Sequence, residues 1–214
     1  MRRIVSLAAL TATFAGLTLA AAGVSSAASR DGGLLGGLLG GNCPRSGLPW
    51  FAPWGDYNLY YPVPNGGLEN GPGSWSLSGG AAVVSGNEPF YPTGNHSLAH
   101  PSGSSATSPV VCIGPRNLRI RMFGSDLGGA DSGLRVRVLW YGLLNQLLGM
   151  SDYGTFAPGG GWAPTSTVSS AGGFNLLLPL LGSTSARIQL VPSGSGSGWR
   201  IDDLLVDPWA SSCC

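Results

Sequence analysis

Leu134-Arg135-Val136-Arg137-Val138-Leu139-Trp140-Tyr141 is the stretch on which the reading of the fold turns. Leu134, Val136, Val138 and Trp140 fall on one side of an extended chain, and Arg135 and Arg137 fall on the other. Successive side chains of a strand point to opposite faces, so this alternation marks one buried and one solvated face. Leu118 to Phe123 repeats it, with Leu118, Ile120 and Met122 opposing Arg119 and Arg121. In Ala186 to Val191, Ile188 and Leu190 oppose Arg187 and Gln189. Trp75 to Val84 alternates loosely, and Ser97 to His100 is a short run closed by Pro101. The runs 143–150 and 174–181 are apolar enough for either a short helix or a strand. One-sided strands in this number predict an all-β domain of two packed antiparallel sheets.

Composition agrees. The chain holds 36 Gly and 16 Pro, which alone would suit disorder, but also 7 Trp, 6 Tyr and 6 Phe, which do not. Breakers spread between short apolar runs, from Pro44 to Pro208, exclude long helices and favour short strands joined by turns. Trp50 to Tyr61 is the densest aromatic stretch, and the Asn65-Gly66 and Asn70-Gly71 pairs after it are strong turn signals.

Arg2 and Arg3 precede an apolar run from Ile4 to about Gly23, which ends in small residues up to Ala28. That order is read as a signal peptide over 1–28, so a secreted or extracellular location is expected, possible attachment at the cell surface included. Residues 29–42, with their Gly-Gly-Leu-Leu repeat, read as a flexible leader, and 43–214 as the β-sandwich domain. No second apolar segment is long enough to span a bilayer, so no membrane insertion is expected after cleavage. Removing Arg2 and Arg3 leaves nine arginines against ten acids, a balance that gives no general attraction to nucleic acid.

Export makes disulfides possible for the four cysteines, Cys43, Cys112, Cys213 and Cys214, in any of three pairings. Adjacent Cys213 and Cys214 could join only through a strained ring, so they are expected to pair with Cys43 and Cys112.

Asn65-Gly66-Gly67-Leu68-Glu69-Asn70, soon followed by Trp75, and Trp199-Arg200-Ile201-Asp202-Asp203-Leu204-Leu205-Val206 stand at opposite ends of the periodic region. Together they resemble the opening turn and closing strand of jelly-roll carbohydrate-binding modules of the galactose-binding-like superfamily. Leu68 replaces a commoner aromatic and Leu204 a commoner Val. The resemblance implies a jelly-roll β-sandwich whose first and last strands lie close together and share a structural calcium ion. Glu69 and Asp202 would be its side-chain ligands, with Asp203 a third. Oxygen donors suit calcium, and a carboxylate pair in an apolar strand needs a cation, an arginine such as Arg200, or backbone donors.

Other chemistry is poorly supported. His96 and His100 lack a third metal ligand, no G-x-S-x-G elbow occurs, and two glutamates, Glu69 and Glu88, are too few for a convincing glycosidase pair. Outward Arg119, Arg121, Arg135, Arg137 and Arg187 would form a basic strip if their strands were neighbours, but plain edge and surface protection of a sheet is the preferred reading. Sugar recognition needs exposed rings near polar groups, and the candidates are Trp54, Tyr57, Tyr60, Tyr91, Tyr141, Tyr153 and Trp162, with Trp75, Trp140 and Trp199 assigned to the core. The expected function is a secreted, non-catalytic binding module for carbohydrate or a cell-surface polymer. The alternative is a structural or adhesive surface protein that binds another protein.

Overall fold

Each of the three alternating runs lies inside a strand longer than its periodic part. The computed structural model describes residue 43 and residues 46–91, 93–113, 117–128, 132–142, 144–157, 159–169, 183–194 and 198–210, all within the compact unit Gly32–Cys214. The expected signal peptide and leader, Cys213, Cys214 and the run 174–181 lie outside the described residues.

In chain order the strands are β1 (Tyr61–Pro62), β2 (Ser76–Ser78), β3 (Ala82–Ser85), β4 (His96–His100), β5 (Ser105–Val111) and β6 (Asn117–Asp126). They continue with β7 (Gly133–Gly142), β8 (Leu147–Phe156), β9 (Ala163–Pro164), β10 (Val168–Ser169), β11 (Ser183–Ser193) and β12 (Trp199–Ala210). One sheet runs β10-β6-β12-β4-β3, with β1 added to β12 and β9 to β6, and the other runs β2-β5-β11-β7-β8. Every pairing is antiparallel. The result is the expected jelly-roll β-sandwich.

The apolar halves of the alternating strands meet in its core. Leu118, Ile120, Met122, Ile201 and Val206 of the first sheet pack with Leu134, Val136, Val138, Ile188 and Leu190 of the second. Trp75, Trp140 and Trp199 are buried among them, as expected. His100 of β4 is fully buried and ties the layers together: its Nε2 lies 3.0 Å from the carbonyl of Leu190 on β11, and its Nδ1 meets Ser104 Oγ.

The loosely alternating run Trp75 to Val84 and the ambiguous run 143–150 resolve through glycine and asparagine turns. Trp75 to Val84 divides into β2 and β3 because Gly79 and Gly80 both take positive φ between them. In 143–150, Asn145 adopts φ 57° and Gly142 N–H donates to the Gln146 carbonyl at 2.9 Å, so the chain reverses into β8 rather than coiling.

Two expectations are corrected. Cys43 bonds Cys112, 69 residues apart with Cα atoms 5.3 Å from each other, so neither is left for Cys213 or Cys214. Strand β5 ends at Val111 and carries Cys112 to the start of the described domain, a proximity that spacing could not reveal. The outward arginines form no single strip either. Arg119 and Arg121 belong to the first sheet and Arg135, Arg137 and Arg187 to the second, so their outer faces point apart.

First and last segments do clasp. Val63 N–H donates to the Leu204 carbonyl at 2.9 Å and Leu204 N–H to the Gly66 carbonyl at 3.2 Å, while Trp75 Nε1 donates to the Asn65 carbonyl at 3.0 Å. A Cβ on Gly66 would stand 2.7 Å from the Leu204 carbonyl oxygen and 2.9 Å from that of Val63. Both obstacles are backbone and cannot swing away. The Gly66→Ala variant is therefore expected to lose about 2 kcal/mol of stability, on the order of 5 °C in Tm, which thermal unfolding followed by circular dichroism measures. Non-reducing peptide mapping is expected to recover Cys43 linked to Cys112.

Candidate functional site

The outer face of the first sheet is the unusual one. Phe123 on β6 points away from the main core, yet it is fully buried. Its cover is the segment before β1, where Phe51 and Tyr60 join Phe123 and Leu205 in a second apolar cluster. Phe51 lies 5.1 Å from Tyr60 edge-on and 5.3 Å from Phe123.

An ion pair pins this cover down. Arg121, also outward on β6, bonds Asp56 Oδ2 at 2.6 Å, donates twice to the Thr165 carbonyl, and lies 4.0 Å over the Phe51 ring. Burial pushes the Asp56 carboxyl up, but hydrogen bonds from Tyr60, Asn58 and Arg121 outweigh it and hold the group below its ordinary range. Burial together with the Asp56 bond pushes the Tyr60 phenol far up.

Around Phe123 stands a rim of rings that solvent reaches. Trp54 is 39% exposed and Phe90 37%, and they meet edge-to-face at 5.0 Å. Tyr91 packs edge-on against Trp50 at 5.1 Å and donates its hydroxyl to the Trp50 carbonyl. Half-buried Trp162 completes the rim, with the Arg200 guanidinium 6.0 Å from its ring. Edge-to-face contacts fix the rings relative to one another, and Trp54 and Phe90 keep part of their surface in solvent.

An acidic group borders the rim. β12 contains a bulge: Asp202 pairs Phe123 but Leu205 pairs Arg121, so β12 spends one residue more than β6. Asp203 is at the bulge with φ 45°. Asp202 is fully buried; its Oδ2 accepts from Glu88 N–H at 3.2 Å and its Oδ1 from Asp203 N–H at 2.8 Å. Glu88 in turn accepts from the N–H groups of Phe90 and Tyr91, which ties the acids to the aromatic rim. Burial, reinforced by the neighbouring acids, pushes Asp202 up to about 7 and Asp203 to about 6.

The ligand set implied by the resemblance is gathered only in part. Asp202 and Asp203 converge, since a Cβ on Gly67 would lie 2.9 Å from Asp203 Oδ1 and 3.7 Å from Asp202 Oδ1. Glu69 is turned to other work, accepting N–H bonds from Asn95 and His96 at 2.9 Å and facing the His96 ring at 3.2 Å. Among the described residues no three His, Cys, Asp or Glu side chains gather as a metal cage. The donor chemistry over Gly67 still suits a hard cation, because both converging groups are carboxylates. Nor does Arg200 neutralise the pair: its guanidinium donates to Ser97 Oγ and to the Ser85 and Gly86 carbonyls.

Of the proposed sugar-contacting rings, Trp54, Tyr91 and Trp162 are brought together here. Tyr57 is 75% exposed on the same covering segment. Tyr141 lies on the other sheet, with the Arg187 guanidinium 5.8 Å from its ring. Tyr60 and Tyr153 are corrected: both are buried, Tyr60 under the Phe51 cover and Tyr153 in the main core, so neither can meet a ligand. Sequence reading missed Trp50, Glu88, Phe90 and Phe123. The run Glu88-Pro89-Phe90-Tyr91 was the available signal, an acid and two rings in one proline-bounded loop.

No family model matches the chain, and no curated protein matches it either. Several solved structures are similar to it. The enzymatically active domain of bacteriophage CBA120 tailspike protein 4 is 16% identical, with a TM-score of 0.48 over 67% of this chain and 21% of that one. The CBM22-1–GH10 modules of Clostridium thermocellum endo-1,4-β-D-xylanase 10B, complexed with xylohexaose, are 12% identical, with a TM-score of 0.49 over 69% of this chain and 28% of that one. This chain thus spans well under two thirds of either. The CBM22-1 xylan-binding domain of Paenibacillus barcinonensis Xyn10C is 11% identical, with a TM-score of 0.42 over 62% of this chain and 83% of that one.

The buried titrating groups set a pH dependence. Asp202 and Asp203 keep protons in the folded state that an unfolded carboxyl releases near 3.8. Their contribution to stability is therefore complete below that pH and declines as pH rises through 6 and 7. His100 works the other way: burial lowers its pKa from 6.5 to about 4, so stability declines as pH falls through that interval. Above 6.5 the carboxyls act alone. In metal-free buffer, Tm is expected to fall by several degrees between about pH 6.5 and 8, and by clearly less in Asp203→Asn.

Proposed function

We propose that this protein is a non-catalytic module that binds carbohydrate outside the cell, on the outer face of the first sheet. The observation that carries the reading is the exposed Trp54–Phe90 pair beside Tyr91 and Trp162. Folding does not require large rings half in water, and a pyranose presents C–H faces that such rings cover at the cost of little polar desolvation. Arg200, held beside Trp162 by Ser97 and two backbone carbonyls, supplies fixed N–H donors for sugar hydroxyls.

Calcium belongs to this reading as a structural ion held by Asp202 and Asp203. Bound there, it would supply the positive charge that the ion pairs His96–Glu69, Arg121–Asp56 and Arg135–Asp152 do not bring to these two acids. Since Asp202 also accepts the Glu88 N–H, the ion would stiffen the loop that carries Phe90 and Tyr91.

Pull-down on insoluble polysaccharides and cell-wall preparations tests the module. Retention on at least one glycan is expected, and Trp54→Ala or Phe90→Ala is expected to lower it about tenfold each, measured at a temperature where circular dichroism shows the variant folded. Retention on none, or retention indifferent to both substitutions, would overturn the reading and turn attention to protein partners. Millimolar calcium is expected to raise Tm by a few degrees near pH 8 and by less near pH 5.5, where the acids hold protons, with no rise in Asp203→Asn.

A further inference from the structure

The β7–β8 hairpin carries an apolar load that neither the core nor the aromatic rim uses. Leu144 at its turn is 89% exposed and Leu147 56%, and Leu148 and Met150 are exposed as well. No charged residue occurs between Gly142 and Ser151. β8 is also the edge strand of its sheet.

Strand register shows how polarity changes along the hairpin. Leu144 is at the apex. Next comes the row in which Tyr141 pairs Leu147 and Ser185, with Leu148 as the extra residue of a bulge before Gly149 pairs Trp140. The following row on that face holds Leu139, Met150 and Arg187, about 7 Å further from the tip at the usual strand rise. Behind it stand Arg137, Asp152 and Gln189. The Arg187 guanidinium lies 5.8 Å from the Tyr141 ring. From tip to base the rows run Leu144, then Leu147 with Tyr141, then Met150 with Arg187, then Arg137 with Asp152.

We propose that this hairpin tip docks on a lipid surface, with Leu144, Leu147 and Leu148 among the acyl chains, Tyr141 at their margin, and Met150 and Arg187 at the level of the headgroups. The polarity gradient argues for the occupant. Apolar side chains of an interfacial anchor enter roughly 5–10 Å, and the Tyr141–Leu147 row stands about 7 Å outside the Arg187 row. Arginine and tyrosine at that depth suit an anionic headgroup layer. A second protein is the weaker fit, because four side chains around one apex offer well under the roughly 800 Å² per partner of a specific interface. This contact is shallow. Among the described residues no helix is long and apolar enough to cross a membrane, which bears on crossing a bilayer and not on peripheral docking.

Vesicle flotation tests it, with the chain from Ser29 onward, which leaves the apolar run Ile4 to Gly23 out of the assay and retains the whole unit Gly32–Cys214. The probes are vesicles of phosphatidylcholine alone and of phosphatidylcholine mixed with phosphatidylglycerol. The parent chain is expected to float with the mixed vesicles and less with the neutral ones. The double variant Leu144→Asp, Leu147→Asp is expected to lose at least about tenfold of that binding. Arg187→Gln is expected to lose only the preference for the anionic vesicles. Tm and glycan retention should stay unchanged in the double variant, which separates failure of this proposal from failure of the carbohydrate reading. Failure of the parent chain to float with either vesicle, or equal flotation of parent and double variant, overturns the proposal. So does a concentration-dependent dimer in sedimentation velocity that the double variant abolishes, since the tip would then serve a second copy.

Discussion

The left-handed turn at Asp203 is the constraint on which the first sheet depends. Before it, Trp199 and Ile201 face the core and Arg200 and Asp202 face out; after it, Leu204 and Val206 face in and Leu205 faces out. One extra residue shifts the phase of the strand, so two buried surfaces can be served by a single β12. Without the bulge, Leu204 and Val206 would both turn out of the core and Leu205 would turn into it. The bulge also sets Asp202 beside Phe123 and places Leu204 where Val63 and Gly66 close the chain's first turn on its last strand.

Arg121 has the complementary role on β6. An outward arginine on a sheet ordinarily reaches water, but here it is buried between Asp56, the Thr165 carbonyl and the Phe51 ring. Burying one charge calls for an opposite one close by, and Asp56 comes from the covering segment itself. The pair therefore does more than join two residues. It fixes the segment that turns an exposed sheet face into a second apolar layer, on whose margin Trp54, Phe90, Tyr91 and Trp162 remain open to solvent.

The two acids at the bulge and the rings beside them form one mechanical unit. Glu88 N–H binds Asp202 while the Glu88 carboxylate gathers the amides of Phe90 and Tyr91, so charge at the bulge is coupled to ring placement by three hydrogen bonds. The hairpin of β7 and β8 stands on the other sheet, so a ligand on the rim and a surface under the hairpin tip need not compete.

Sequence alone determined the strands with alternating faces, β6, β7 and β11, and the burial of Trp75, Trp140 and Trp199. Pleat and turn preferences act between near neighbours along the chain, whereas the meeting of the Asn65-Gly66 turn with β12 was only what the jelly-roll resemblance implied. Tertiary structure decided which outward faces stay wet. Arg119 and Arg121 read like Arg135 and Arg137, yet they lie on opposite sides of the sandwich, and Arg121 is covered by a segment some 65 residues away in sequence. Tyr60 and Tyr153 were indistinguishable from Trp54 by type and setting, and burial removed them from the rim. The Cys43–Cys112 bond and the reversal of facing at Asp203 were hidden for the same reason. Each depends on contacts between distant segments, and alternation in a single strand carries no record of what lies across from it.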